Sequence, residues 1–281
     1  MSEASKELFI SQPGLTTSIR ELETEMGIKI FTRTNKGVVT SNEGERFLGY
    51  ARQVLEQASL LEGVYKSGTK IKQQFCVSTQ HYSFAVNAFV DLIRRFAGEE
   101  YDFSLRETET YEIIDDVAKM KSEIGILYLN SFNKDALMKI IKSKSLTFTE
   151  LFTAKPHVFV STDHPLADKK SVTMGELADY PYLSFEQGEH NSFYYSEEIF
   201  STVGRTKNIR VTDRATLFNL LIGLNGYTVC SGVIDNELNG DNITAIPLDE
   251  EGNMKIGYIE NKKILHSNLA EAYIEALKKH I

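Results

Sequence analysis

Ser11, Gln12, Thr16, Thr17 and Arg20 gather short polar side chains and one cation into a single stretch near the start of the chain. Those types suit the reading of base edges: a Gln amide can pair with adenine through two hydrogen bonds, and a Thr offers both a hydroxyl and a methyl. Further on, Arg33 and Lys36 flank a polar turn, where cations can rest on phosphates. A second group of hydroxyls, at Thr79, Ser83, Thr108, Thr110, Ser184, Ser192, Thr212 and Thr216, falls where strand-like runs hand over to helix-like ones. Free N–H groups plus hydroxyls at such junctions bind carboxylate, sulfate or phosphate. Each alone also serves as an ordinary helix cap; their concentration on one edge is what points to a ligand. Glu107, Glu109, Glu186 and Glu189 lie near the same edge, where a carboxylate could hold an ammonium or simply be a solvated rim charge.

Other chemistries lack their residues. The six histidines (His81, His157, His164, His190, His266, His280) show no metal-ligand spacing, and the chain contains no Gly-x-Ser-x-Gly elbow, phosphate-cradling glycine loop or Cys-x-x-Cys. No enzyme activity, metal or cofactor is expected. Cys76 and Cys230 sit in apolar runs without neighbouring cations, which predicts buried, reduced thiols. The net charge of −8 argues against non-specific coating of nucleic acid. Residues 1–66 hold eight Lys or Arg against nine Asp or Glu, so binding by this part would rest on few phosphate contacts. Arg20, Lys29, Arg33 and Lys36 cluster, while Glu21, Glu23 and Glu25 can point away. No leader peptide or membrane-length apolar run is visible, which leads to a cytoplasmic expectation and no membrane partner.

The elements that must position these residues can be drawn from periodicity. A first helix capped by Ser2 would carry Ala4, Leu8 and Phe9 on one side. A second would start near Ser11 with Pro13 in its first turn and run through Leu15, Ile19, Leu22 and Met26 to Gly27. Ser11, Gln12, Thr16 and Arg20 then face outward, the arrangement that enters a DNA major groove. Ile28–Phe31 and Val38–Val39 read as strands of a wing around the turn bearing Arg33 and Lys36. From Ser41 a long helix follows, with a stripe of Phe47, Tyr50, Ala51, Val54, Leu55, Ala58 and Leu61 suited to pairing with a second copy or to packing against the next domain. Ser67–Lys70 is a hinge.

Beyond it strands and helices alternate. Strands at 74–78, 102–107 and 124–129 with helices at 83–96, 111–121 and 136–142 predict a mostly parallel sheet covered on both faces. A strand at 147–153 leads out. A second set has strands at 157–161, 182–185, 209–212 and 227–230 and helices near Met174–Ala178, over Asn191–Thr202 and over Ala215–Leu224. Strands at Ile243–Pro247 and Lys255–Glu260 read as returning to the first set, before a closing helix at 268–279. Two lobes with two crossings make a clamshell whose cleft lies at the carboxyl ends of the strands.

The stretch carrying Ser11-Gln12-Pro13, Ile19, Leu22-Glu23, Gly27, Phe31, Arg33, Gly37-Val38 and Gly44 resembles the winged helix-turn-helix of the LysR-type transcriptional regulators. Glu123-Ile124-Gly125-Ile126, Asp163-His164-Pro165-Leu166-Ala167, Glu176–Pro181 and Gly223-Leu224-Asn225-Gly226 resemble that family's effector-binding domain, itself similar to type 2 periplasmic binding proteins. The family commonly has Ser-Arg where this chain has Thr16-Thr17. Its module usually begins with one more helix, and Met1 stands at a position internal to the family. The expectation is therefore a clipped sequence or a late start, leaving Leu8, Phe9 and Ile19 short of a packing partner.

The resemblance implies an α/β fold class with a shortened winged helix-turn-helix over 1–40 and a linker helix over 41–66. A hinge over 67–72 and an effector-binding domain over 73–281 follow, its first lobe made of 73–155 and 248–281 and its second of 156–247. It implies double-stranded DNA bearing a dyad-symmetric promoter site as partner, with Ser11, Gln12, Pro13, Thr16, Thr17, Arg20, Arg33 and Lys36 at the interface. It also implies a homodimer or dimer of dimers, and a small-molecule effector, an amino acid or small anion. Thr79, Thr110 and Phe185 match positions that commonly line the effector pocket, with Gln80, His81 and Tyr128 as neighbours and Thr108, Ser184 and Thr212 as hydroxyl or strand-end candidates. A cytosolic solute-binding sensor without DNA binding is the alternative.

Overall fold

The end of one helix and the start of the wing's first strand are tied together by a single carboxylate in the N-terminal part of the chain. In the computed structural model, which describes residues 2–34, 37–66, 73–96, 98, 100–234 and 240–281, two compact units divide near residue 71. In the first unit α1 (Ser2–Glu7) precedes α2 (Gln12–Met26). Ser11 caps α2 by accepting the Gly14 N–H at 3.2 Å, with Pro13 in the first turn, and Gly27 ends it at φ +66°. Glu23 does not point away as its charge suggests. It is buried, and its Oε1 accepts the N–H groups of Ile30 at 2.8 Å and Phe31 at 3.0 Å. The wing is the antiparallel pair β1 (Phe31–Thr34) and β2 (Gly37–Thr40), so its first strand begins at Phe31, where the expected one ends. α3 (Asn42–Lys66) is capped by Ser41, whose Oγ accepts from Gly44 N at 2.9 Å.

The apolar side of this unit is only partly covered. α1 ends before Leu8 and Phe9, which are exposed rather than packed, Phe9 at 96%. Met26 is exposed too, while Leu15, Ile19 and Leu22 are half-buried. Along α3 the side chains of Tyr50, Val54, Leu55 and Ala58 face solvent. Residues 35–36 and 67–72, which include Lys36 and the expected hinge, lie outside the described residues.

The second unit is built on a five-stranded sheet in the order β4-β3-β5-β12-β6. Its strands are β3 (Gln73–Thr79), β4 (Tyr101–Glu107), β5 (Ile124–Leu129), β6 (Leu146–Ala154) and β12 (Met254–Asn261). β3 pairs parallel to β4 and β5, whereas β12 runs antiparallel to both β5 and β6. All six residues of β5 are buried, as a central strand covered on both faces requires. Helices α4 (Ser83–Phe96) and α8 (Asn268–Leu277) share one core with Phe75 and Tyr273. α5 (Thr110–Ala118) and α6 (Lys134–Ser143) build another around Ile113, Leu127 and Leu137.

The second lobe departs from the parallel sheet expected of it. β7 (His157–Ser161) is flanked by β10 (Thr228–Cys230) and β11 (Ile243–Pro247), antiparallel on both sides, and only β8 (Tyr182–Phe185) and β9 (Asn208–Val211) pair in parallel. β11 thus stays in this lobe, and β12 alone returns to the first. α7 (Arg214–Leu224) is present, but 174–178 forms turns and 191–202 contains only a 3-10 turn at Phe193–Tyr195. The chain passes between the lobes twice, through Lys155–Pro156 and through residues 248–253. The crossings run side by side, with Leu248 N–H donating to Pro156 O at 3.0 Å.

Gly44 is where α3 passes closest to the segment entering the wing: a Cβ there would stand 2.2 Å from Ile30 O. Gly44→Ala should cost about 1–3 kcal/mol in the first unit. Faster hydrogen exchange at the α2 amides, with the second unit unchanged, is the expected reading.

Candidate functional site

The cleft of the second unit is organised by side chains at the end of β3. Gln80 is buried, and each end of its amide is used. Its Nε2 donates to Thr110 Oγ1 at 2.6 Å, while its Oε1 accepts from Tyr128 N at 3.0 Å and Tyr82 Oη at 3.1 Å. Thr79 donates to Gln80 O at 2.7 Å, and Thr108 N–H donates to Thr79 O at 3.0 Å. This layer fixes the path of the chain into α4 and so aims the next residue, His81.

His81 meets the other lobe. Its backbone N–H donates to Glu197 Oε2 at 3.0 Å, its Nδ1 lies 2.9 Å from the same oxygen, and its ring stacks on Phe185 at 3.8 Å. Gln187 adds a third donor, Nε2 to Glu197 Oε1 at 3.1 Å, and accepts the Thr110 N–H on its own Oε1 at 3.0 Å. Burial pulls the His81 pKa down, but the Glu197 carboxylate outweighs it and the net shift is upward. The adjacent Glu198 is fully enclosed. Burial, reinforced by Glu197, pushes its carboxyl up to about 8, although the Phe185 N–H donates to it at 2.8 Å. Behind them Arg214 Nη2 pairs with Glu107 at 3.0 Å. Burial raises the Glu107 pKa against the opposing pull of Arg214.

His81, Phe185, Glu197, Glu198 and Arg214 border a cavity of about 40 Å³, enclosed also by Ser83, Phe159, Leu217, Phe218 and Thr228. Arg214 Nη1 and Thr228 Oγ1 are buried at it without a hydrogen-bond partner. Buried polar groups left unmade are costly, so such atoms mark where a guest's acceptors could sit.

Of the expected pocket residues, His81 and Phe185 line the cavity, and Thr79, Gln80, Thr110 and Tyr128 form the layer beneath it. Thr108 is tied in through its backbone. Ser184 and Thr212 do not line it: Ser184 alternates with Phe185 along β8 and so points to the opposite face of the strand, and Thr212 faces solvent. Glu186 and Glu189 are exposed, while Glu109 packs beside Gly188 and has its pKa raised by burial and by Glu112 and Glu186. Glu197, Glu198 and Arg214 were not singled out by sequence. The two acids sat inside an expected helix and carried no signal. Arg214 did carry one, since a cation in the first turn of a helix opposes the helix dipole. Cys230 borders the cavity and Cys76 lies 3.1 Å from Ser122 Oγ; both are free and half-buried rather than enclosed. Among the described residues no group of three or more His, Cys, Asp or Glu could hold a metal, and no helix is long and apolar enough to cross a membrane.

In the first unit Ser11, Gln12, Pro13, Thr17 and Arg20 are exposed along the N-terminal half of α2. Thr16 is half-buried, and its hydroxyl donates to Gln12 O at 2.9 Å, which leaves its methyl and oxygen lone pairs as the outward features. Arg33 sits on β1 opposite Val38.

Residues 77–281 match the family described as LysR substrate binding domain, and residues 1–45 match the bacterial regulatory helix-turn-helix protein, lysR family. The regulator CysB of Burkholderia cenocepacia is 28% identical over 66% of this chain and 58% of its own length. The uncharacterised regulator YnfL of Escherichia coli is 28% identical over 65% of this chain and 59% of its own. The alignments thus span less than two thirds of these relatives. Among solved structures, full-length BenM superposes with a TM-score of 0.50 at 20% identity, covering 99% of this chain and 90% of that one. HinK of Pseudomonas aeruginosa gives 0.50 at 18%, covering 99% and 92%. These structures share the fold.

A carboxyl with a raised folded pKa keeps its proton where the unfolded chain has lost it, so its contribution is full below 4.5 and lost as pH rises through about 8. The upward shift of His81 acts in the same direction above 6.5. The Tm of the second unit should fall across this window by several degrees, and Glu198→Gln should flatten the decline. Calorimetry at stepped pH checks it.

Proposed function

Because this chain belongs to the LysR family of bacterial helix-turn-helix regulators, we propose that it is a cytoplasmic transcriptional regulator that binds DNA and responds to a small molecule held between its two α/β lobes. The outward row of Ser11, Gln12, Thr16 and Arg20 on a helix fixed by an N-cap and a left-handed glycine carries the reading. Gln12 and Thr16 contact base edges, and Arg20, Arg33 and Lys36 contact phosphates of a dyad-symmetric promoter site. Pairing of α3 with a second copy supports two such readers. Its exposed Tyr50, Val54, Leu55 and Ala58 give that helix an apolar seam. Contacts of the second unit join dimers further into a tetramer. The effector is an amino acid or a small anion, and its binding shifts the lobes between two arrangements in proportion to its differential affinity for them. Burial of Gln80, Glu197 and Glu198 in the cleft and the unpartnered donors of Arg214 and Thr228 support that site.

A mobility shift on the intergenic DNA beside the gene tests the reading. Gln12→Ala should lose about 1–3 kcal/mol of specific binding, with the non-specific level unchanged, and the salt slope per subunit should be shallow. Absence of sequence-dependent binding at low salt would favour a solute sensor instead. Leu55→Glu should lower the mass seen by sedimentation to that of a single chain while the second unit keeps its Tm.

A further inference from the structure

Glu197 is a carboxylate held as a ligand would be held. It receives the His81 N–H, the His81 imidazole and the Gln187 amide, and its side chain is 5% exposed. The segment that delivers it, residues 186–198, belongs to the second lobe but lies along the first. Gln187 accepts from Thr110 N, His190 stacks on Tyr111 at 3.5 Å, and Tyr194 stacks on Phe132 at 4.8 Å. Beside Glu197 the remaining cavity of about 40 Å³ is room for about one or two waters, far less than an effector needs. Yet Arg214 Nη1 and Thr228 Oγ1 stand buried there with nothing to bond. Two observations therefore meet: a set of donors already shown to take a carboxylate, and neighbouring donors still lacking an acceptor.

We propose that the effector carries a carboxylate and an apolar body, and that Glu197 is its internal placeholder, released from His81 when the effector enters and the 186–198 strap moves outward. This rests on the cleft being the effector site. The incoming carboxylate takes the His81 N–H and imidazole, and its second oxygen turns to the Arg214 and Thr228 donors that line the same cavity. Phe159, Leu217 and Phe218 receive the apolar part. No bond is made or broken; one carboxylate exchanges for another, so the charge of the site is kept. Cleft occupancy and strap position become the same event, which is how a small guest could alter the relation of the lobes.

The test uses the full chain, with sodium chloride at matched ionic strength as the control. In Glu197→Ala, acetate should fill the vacated position and raise Tm saturably in the millimolar range, acetamide should not, and the wild type should respond to neither. Isovalerate, a carboxylate with a branched apolar body, should bind Glu197→Gln about tenfold more tightly than the wild type and Arg214→Gln about tenfold more weakly by titration calorimetry. Equal acetate shifts in variant and wild type, equal effects of acetamide and acetate, or an isovalerate affinity indifferent to Glu197→Gln would overturn the proposal. Should Glu197→Ala not fold, the Glu197→Gln comparison decides alone. Stabilisation by isoamylamine, lost in Phe218→Ala, in place of isovalerate would sink the carboxylate while leaving the cleft as effector site. A chain that binds no compound of either class sinks both, and loss of operator binding alone leaves this inference standing.

Discussion

A carboxylate withdrawn from water must be given donors in its place, and the contact of Glu197 with His81 is the constraint around which the cleft is arranged. Three donors converge on that one group from two lobes. Meeting them fixes the path of residues 186–198 and explains why no helix forms there: regular i to i+4 bonding would turn Glu197 and Glu198 away from His81 and the Phe185 N–H. The local preference of the segment yields to two buried acids that must reach these partners. Gln80 sets the other side of the arrangement, because its amide ties β5 and α5 to the turn that presents His81.

The first unit uses the same device at smaller scale. Glu23 lies in a helix, but its carboxylate reaches past the helix end to the Ile30 and Phe31 amides, which lowers its pKa, the Phe31 bond contributing most. The helix offering Gln12 and the ribbon carrying Arg33 are thereby held at a set angle within that unit. Gly44 completes the joint by letting α3 begin against the Ile30 carbonyl.

Much of this was legible in the sequence where one element decides its own form. α4, β5, β7, β8 and β11 fall on their expected residues because apolar period and flanking turn signals agree. Ser11, Gly27 and Ser41 act as the caps they resemble. What escaped was decided by partners distant in sequence. Glu23 looked like one of three solvated acids, and only its reach to Ile30 distinguishes it from Glu21 and Glu25. Ile243–Pro247 has the composition of any sheet strand, and its choice of β7 depends on pairing no local pattern encodes. In the cleft, sequence found the β3 end through Thr79, Gln80 and His81, since strand-to-helix junctions announce themselves. It missed Glu197 and Arg214, whose roles arise only once the lobes face each other.

The two crossings between the lobes bear on how the molecule can move. β6 departs and β12 returns as immediate neighbours, and the Leu248 to Pro156 bond clips the strands together where they leave the sheet. A paired ribbon of this kind bends and twists about its own line far more readily than it shears. Relative travel of the lobes is thus funnelled into something close to a single coordinate, and whatever pries the mouth open or lets it shut is read out along one axis.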